Sequence, residues 1–258
     1  MSFLNFLRLP ESKSIHDLDD PTTTLLHGEI IKKKPFLVRI YKNFYNIFKK
    51  ALEPFPEKKI IIELGSGAGF IKEVIPEVKT SDILPLPHLD YVFSGMEMPF
   101  GPESVDAFIM TDVLHHIPDS RVFFKEMDRR LKVGGKIIMI EPANTLWGRF
   151  IYQNFHHEPF DPNGKWGFVS SGPLSSANGA IPWIIFCRDR LLFETEFPQF
   201  NIERVTFHTP FRYLLSGGLS FRQLLPSFMY SPLMILEMIL KPLHPWIGMF
   251  MTIELKKM

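Results

Sequence analysis

Residues 60–70, Ile-Ile-Ile-Glu-Leu-Gly-Ser-Gly-Ala-Gly-Phe, constrain the fold more than any other stretch of the chain. The β-branched run ending at Leu64 predicts a buried strand. Gly65, Gly67 and Gly69 then allow a sharp bend in which backbone approaches a ligand without interference from Cβ atoms. Residues 70–75 predict a short helix closed by Pro76. A strand, a glycine bend and a helix N-terminus together form a place where backbone N–H groups can hold an anion.

A dinucleotide fingerprint, G-x-G-x-x-G, begun at Gly65 would place its third glycine at position 70, which is Phe. The glycines run G-x-G-x-G instead. Residues 78–82 read as a second strand ending in Asp82, 17 residues after Gly65. A carboxylate at that strand tip can accept hydrogen bonds from both hydroxyls of a ribose. A tight connection leads to a third strand at 89–93, and apolar runs predict a fourth at 105–110 and a fifth at 136–141. Between the last two, Asp119 or Ser120 caps a helix with Phe123, Met127 and Leu131 as its core stripe and Gly134-Gly135 as its stop.

Several ordered motifs in this half resemble the class I S-adenosylmethionine (SAM) methyltransferases, and within them the type 11 family. The bend is similar to their motif I, Glu/Asp-x-Gly-x-Gly-x-Gly. Ser104-Val105-Asp106, Leu114-His115-His116, Arg130-Leu131-Lys132-Val133-Gly134-Gly135 and Glu141-Pro142 follow in the family's order. The resemblance covers residues 60–142. It implies an α/β, Rossmann-like sheet of order 3-2-1-4-5-7-6 with the last strand antiparallel, helices on both faces, and a substrate-covering insertion. It implies SAM as cofactor, held by Glu63, Gly65, Ser66, Gly67, Gly69 and Asp82, with Ser94, Gly95, Met96, Thr111 and Asp112 around it. Ser94 is a departure, because the family often carries an Asp there. His115 and His116, just past the fourth strand, are candidate bases for the transfer, since imidazole titrates near neutrality.

At 258 residues and 45% hydrophobic content, the chain suits one domain with an embellishment. Residues 1–55 read as an N-terminal helical cap, 56–142 as the cofactor core, 143–200 as a lid and substrate region, and 201–258 as the last two strands with a helical insertion. The first 28 residues look irregular. After Pro35 a helix is expected, with Phe36, Ile40, Phe44 and Phe48 on one face and Lys32, Lys33 and Lys34 on or near a solvated basic face. A net charge of +1 offers no nucleic-acid footprint. One cysteine, Cys187, rules out an internal disulfide and fits a reducing compartment. The start, Met1 to Arg8, carries no secretory leader pattern, and the apolar stretch at 224–236 is too short and too Pro-broken to span a bilayer. A cytoplasmic location follows as an expectation, with peripheral contact at the inner face of the membrane left open.

After residue 142 the family motifs stop. A helix start is expected at 144–150, and residues 162–182 read as an ordered loop. His156, His157, Glu158 and Asp161 form a second titratable cluster. His157 there is a third candidate base or an anchor for the lid, and the cluster has the chemistry of a metal site, although no metal is assigned. Residues 201–208 and 247–255 suit the sixth and seventh strands, with a helical insertion between them. The expected activity is methyl transfer to a small or lipid- or glycan-linked acceptor at oxygen. The alternatives are C- or N-methylation of a quinone-like or amine compound, and a SAM-binding scaffold without catalysis.

Overall fold

A computed structural model of the protein describes residues 7–13, 17–56 and 58–258. The reading of Met1 to Phe6 as lacking a leader lies outside them. Seven strands form one sheet: β1 (Ile61–Leu64), β2 (Lys79–Asp82), β3 (Tyr91–Val92), β4 (Val105–Thr111), β5 (Leu131–Pro142), β6 (Phe200–His208) and β7 (Phe250–Lys257). Their order is β3-β2-β1-β4-β5-β7-β6. The first five run parallel, and β7 is antiparallel to both of its neighbours. The expected topology is therefore present. The strands that read as continuous apolar runs, β1, β4 and most of β5, are the central ones and are buried on both faces, as a parallel sheet requires.

Two helices precede the sheet. Helix α1 (Pro21–Lys33) is capped by Asp20, whose carboxylate accepts from the Thr22 N–H, and Pro21 takes the first helical position. This corrects the expectation of irregular chain through residue 28: the cap pair Asp20-Pro21 starts a helix whose apolar pattern alone is weak. Helix α2 (Pro35–Leu52) buries Phe36, Ile40, Phe44 and Phe48 as its spacing predicts. Phe44 packs on Phe250 of β7 with ring centroids 5.2 Å apart. Lys34, between the helices, departs from the solvated basic face. It is buried, and its ammonium donates to the Gly218 and Phe221 carbonyls. Burial brings its pKa down to about 8.

The segment after the glycines is a single 3-10 turn, Ile71–Glu73, rather than an α-helix. A helix-dipole argument for anion binding there does not apply. Helix α3 (Ser120–Arg130) is capped by Asp119, which accepts from the Arg121 and Val122 N–H groups. It ends one residue before Leu131, which starts β5. Gly134 (φ +80°) and Gly135 lie in a register irregularity of β5 against β4, so they bend a strand instead of stopping a helix. Leu131 stays fully buried, but as a strand residue.

Helix α4 (Leu146–Phe155) is capped by Thr145, and loop then runs to residue 180. Short helical turns at Ile181–Trp183 and Ile184–Arg188 and helix α5 (Arg190–Glu196) lead to β6. The insertion between β6 and β7 is helical as expected, with α6 (Arg212–Ser216), α7 (Tyr230–Ile239) and α8 (His244–Ile247) as its α-helices. Glu237 of α7 accepts from the Phe211 and Arg212 N–H groups and from Arg212 Nε, at 2.6–3.0 Å, which pins α7 to the fold. No described helix is long and apolar enough to cross a membrane.

Candidate active site

A cavity of about 930 Å³ opens beyond the carboxyl ends of the parallel strands. That is where ligands bind in open α/β sheets, and the volume is near the top of the about 300–1,000 Å³ range of ligand pockets. All fourteen residues singled out from the sequence line it: Glu63, Gly65, Ser66, Gly67, Gly69, Asp82, Ser94, Gly95, Met96, Thr111, Asp112, His115, His116 and His157.

The glycine bend forms one wall. Gly65 has φ +61°, and a Cβ there would lie 2.4 Å from a methyl of Val113. Helix α1 closes on the bend so tightly that a Cβ on Gly28 would meet that of Ala68 at 2.4 Å. Tyr45 of α2 accepts from the Phe70 N–H at 3.3 Å. Ser66 uses its hydroxyl within the protein, accepting from the Ser81 N–H at 3.1 Å. Asp82 Oδ2 accepts from the Gly67 N–H at 2.9 Å, and Oδ1 from the Leu84 N–H at 3.0 Å. Asp82 thus joins the bend to β2, and each of its oxygens keeps a further lone pair.

Three carboxylates face this end. Glu63 is buried, its Oε2 has no partner among the described residues, and burial pushes its pKa up to about 7. Asp112 sits at φ +57° in the β4 exit, with its carboxylate within 4.8 Å of ligand atoms of His115 and Glu141, and burial raises its pKa to about 7. The hydroxyl of Thr111, beside it, is buried without a partner among the described residues. A buried carboxylate oxygen and a buried hydroxyl without partners are costly in isolation and suit a cationic, hydrogen-bonding ligand. SAM, with a sulfonium, an ammonium and ribose hydroxyls, fits this donor and acceptor set. At the edge of the same end, Ser94 Oγ accepts from the Met96 N–H at 3.2 Å, in a turn that includes Gly95.

The other end is built around Glu158. Four imidazoles surround its carboxylate: His115 Nε2 at 3.5 Å, His116 Nε2 at 3.6 Å, His157 Nε2 at 3.7 Å and His156 Nδ1 at 3.8 Å. Against the effect of burial, His115 above all, with His116 and His156, pulls the Glu158 pKa far below its ordinary value. Glu141, at the end of β5, accepts from the Val113 and Leu114 N–H groups on one oxygen and from His115 Nδ1, at 2.7 Å, on the other. His115 lies between two carboxylates, and its pKa is raised although burial opposes this. His116 is brought down to about 4 by burial and by His115.

Sequence reasoning grouped His156, His157, Glu158 and Asp161 apart from the His115-His116 pair. The fold merges the first three with that pair and leaves Asp161 out. Asp161 accepts from the Asn163 N–H in its own turn and does not line the cavity. The central place of Glu158 and the bracing by Glu141 were missed. Glu141 carried a signal, since it is a carboxylate inside an otherwise apolar strand. The walls between the two ends are largely aromatic and include Tyr41, Tyr152, Phe160, Tyr213 and Phe250.

Residues 72–139 match the family model described as a methyltransferase domain. Among solved structures, geranyl diphosphate C-methyltransferase from Streptomyces coelicolor A3(2), in complex with Mg2+, geranyl diphosphate and S-adenosyl-L-homocysteine, shares the fold at TM-score 0.54. It is 14% identical, over 90% of this chain and 83% of that one. A geranyl diphosphate methyltransferase in complex with SAM gives TM-score 0.52 and 13% identity over 90% of each chain. No curated protein matches the sequence. The matched segment is thus similar to a methyltransferase domain, and the seven-stranded order with a cavity at the strand ends is the fold of class I SAM-dependent methyltransferases.

Proposed function

We propose that the enzyme methylates an oxygen of an amphiphilic acceptor, with SAM along the Glu63–Asp82 wall of the cavity, the acceptor's hydroxyl at Glu158, and Asp112, close to His115, where the two meet. The observation that carries this reading is one cavity lined both by the Gly65–Asp82 wall, where Glu63 Oε2 has no partner among the described residues, and by the imidazole–carboxylate cluster around Glu158. In it, Asp82 accepts from the ribose hydroxyls, while the bend from Gly65 through Ser66 and Gly67 to Gly69 lets the cofactor approach the backbone. Glu63 and Asp112 face the cofactor's cationic groups, Thr111 offers its free hydroxyl, and Ser94, Gly95 and Met96 border the adenine. The transfer is an in-line displacement, so alignment and exclusion of water supply much of the rate. Bound there, SAM would supply a methyl group on a positive sulfur, which would leave as S-adenosylhomocysteine, and the acceptor O–H would give its proton to the cluster. His115, braced by Glu141, positions Glu158, while His116 and His157 share the proton-accepting edge.

The aromatic walls suit an apolar body. Helix α4 carries this surface outward: Phe155 lines the cavity and is exposed, and Phe150 and Leu146 are exposed beyond it. Helix α8, packed on α4, exposes Trp246. A lipid-linked acceptor drawn from a membrane surface suits this arrangement.

The fold shared with geranyl diphosphate C-methyltransferase and the aromatic lining favour a second reading, C-methylation of an alkene whose developing cation the rings would stabilise. Against a diphosphate acceptor, Arg8 is the only Lys or Arg among the described residues that line the cavity. The test is release of S-adenosylhomocysteine with a panel of hydroxyl-bearing amphiphiles, followed by product analysis. Turnover with a new O–CH3 group supports the reading. A methyl on carbon selects the second one, and SAM binding with no turnover on any acceptor points to a scaffold.

A further inference from the structure

The Glu158 cluster has a geometry that proton uptake alone does not require. His115 Nδ1 donates to Glu141 Oε2 at 2.7 Å, and His116 Nδ1 lies 3.2 Å from the Ser176 carbonyl, which can only accept. Each ring therefore uses its Nδ1–H on a fixed oxygen and turns Nε2 toward the Glu158 carboxylate. A metal-bound histidine is held in this way, with its second nitrogen donating to a carboxylate or a backbone carbonyl that sets tautomer and orientation. The Nε2 atoms lie 3.5 and 3.6 Å from the two Glu158 oxygens. One ligand atom from each of His115, His116 and Glu158 lies within 4.8 Å of the others, and a tetrahedral ion at about 2.0–2.1 Å would draw them to about 3.3–3.4 Å apart.

We propose that His115, His116 and Glu158 form a site for a first-row divalent ion of the Zn2+ class. Two imidazoles and one carboxylate favour such an ion over Mg2+ or Ca2+, which take oxygen ligands. The alternative grouping of Asp112, His115 and Glu141 is weaker, because Glu141 already accepts three hydrogen bonds and braces His115 instead of ligating. Three protein ligands leave a position open toward the cavity, where the acceptor oxygen lies in the reading above. The inference rests on that reading only for its catalytic consequence, and the site itself stands on these three side chains.

The test uses chelator-treated full-length protein, without SAM or acceptor. Co2+ is titrated and followed by its visible absorption, and Zn2+ is titrated calorimetrically in competition. One ion per chain is expected, with the intense visible bands of low-coordinate Co2+. Glu158→Gln and His116→Ala should each weaken binding at least about 10-fold, and Glu141→Gln should weaken it about 10–100-fold as a positioning residue. His157→Ala should change it less than about 3-fold, as expected of a residue outside the coordination shell. Unchanged SAM affinity in the variants reports that they fold. If Glu158→Gln does not fold, His116→Gln at the half-buried ring carries the same comparison. No stoichiometric uptake by the unaltered protein overturns the proposal. So does affinity that survives both Glu158→Gln and His116→Ala, or that is lost only with His157→Ala. Because no turnover is read, an enzyme that fails on every acceptor yet binds one ion would sink the oxygen-methylation reading and leave the metal site standing.

Discussion

Glu141 Oε2 lies 2.7 Å from His115 Nδ1, while the other oxygen of the same carboxylate takes the Val113 and Leu114 N–H groups. One fully buried side chain thus fixes both the backbone that leaves β4 and the imidazole that this backbone carries. Removing one partner of a buried charged network costs about 3–5 kcal/mol. Glu141→Ala should therefore lower unfolding stability by about 3–5 kcal/mol, because it strands two N–H groups and an imidazole. Glu141→Gln keeps an acceptor for the backbone and should cost about 1–2 kcal/mol. Urea denaturation of the two variants gives the comparison, and equal losses would deny Glu141 this double role.

Asp82 is tied to Gly67 and Leu84 and, in the proposed reading, to the cofactor's ribose. Asp82→Ala removes the charge-assisted bonds to ligand and should weaken SAM binding about 10-fold or more. Calorimetric titration measures it, and unchanged affinity would take Asp82 out of the ribose role.

Glu63 sets a pH dependence. Burial raises its pKa from an ordinary 4.5 to about 7. Between those values the folded chain holds a proton that the unfolded chain has released. Stability from this group is therefore present below about pH 4.5 and lost as pH rises toward 7. A cationic cofactor reverses the balance, because it favours the ionised form. SAM affinity should rise from pH 6 to pH 8, by up to about 10-fold per pH unit below 7. Glu63→Gln should bind SAM more weakly and flatten the profile. A flat profile in the unaltered protein would contradict a cofactor role for Glu63.

Lys34 links the start of α2 to residues 217–221 at the rim of the cavity. Lys34→Ala leaves two carbonyls without this donor and should cost about 1–3 kcal/mol of stability. It should also speed proteolytic cleavage near Gly217-Gly218. Cleavage at the original rate, with stability intact, would mean that the ammonium does not hold the rim.

The central strands were legible because β1, β4 and most of β5 are apolar runs, whereas their order came with the family resemblance; the Gly65–Gly69 bend and Asp82 are local signals with a set spacing, and both line the cavity. Short-range rules failed where one signal serves two structures. Gly134-Gly135 after a helix reads as a stop, yet the same pair bends a strand. Lys34 follows two lysines and reads as solvated, yet a loop nearly 190 residues later supplies its acceptors. The acceptor end was the least legible. Glu158 gains its meaning from His115 and His116, more than 40 residues earlier, and only the folded chain brings them together.

A crystal structure of the protein with S-adenosylhomocysteine tests the central claim most directly. The account predicts the ribose hydroxyls on Asp82, the backbone of Gly65–Gly69 along the amino-acid portion, and the sulfur turned toward Glu158. A ligand bound away from Asp82, or with its sulfur facing away from the imidazole cluster, would contradict it.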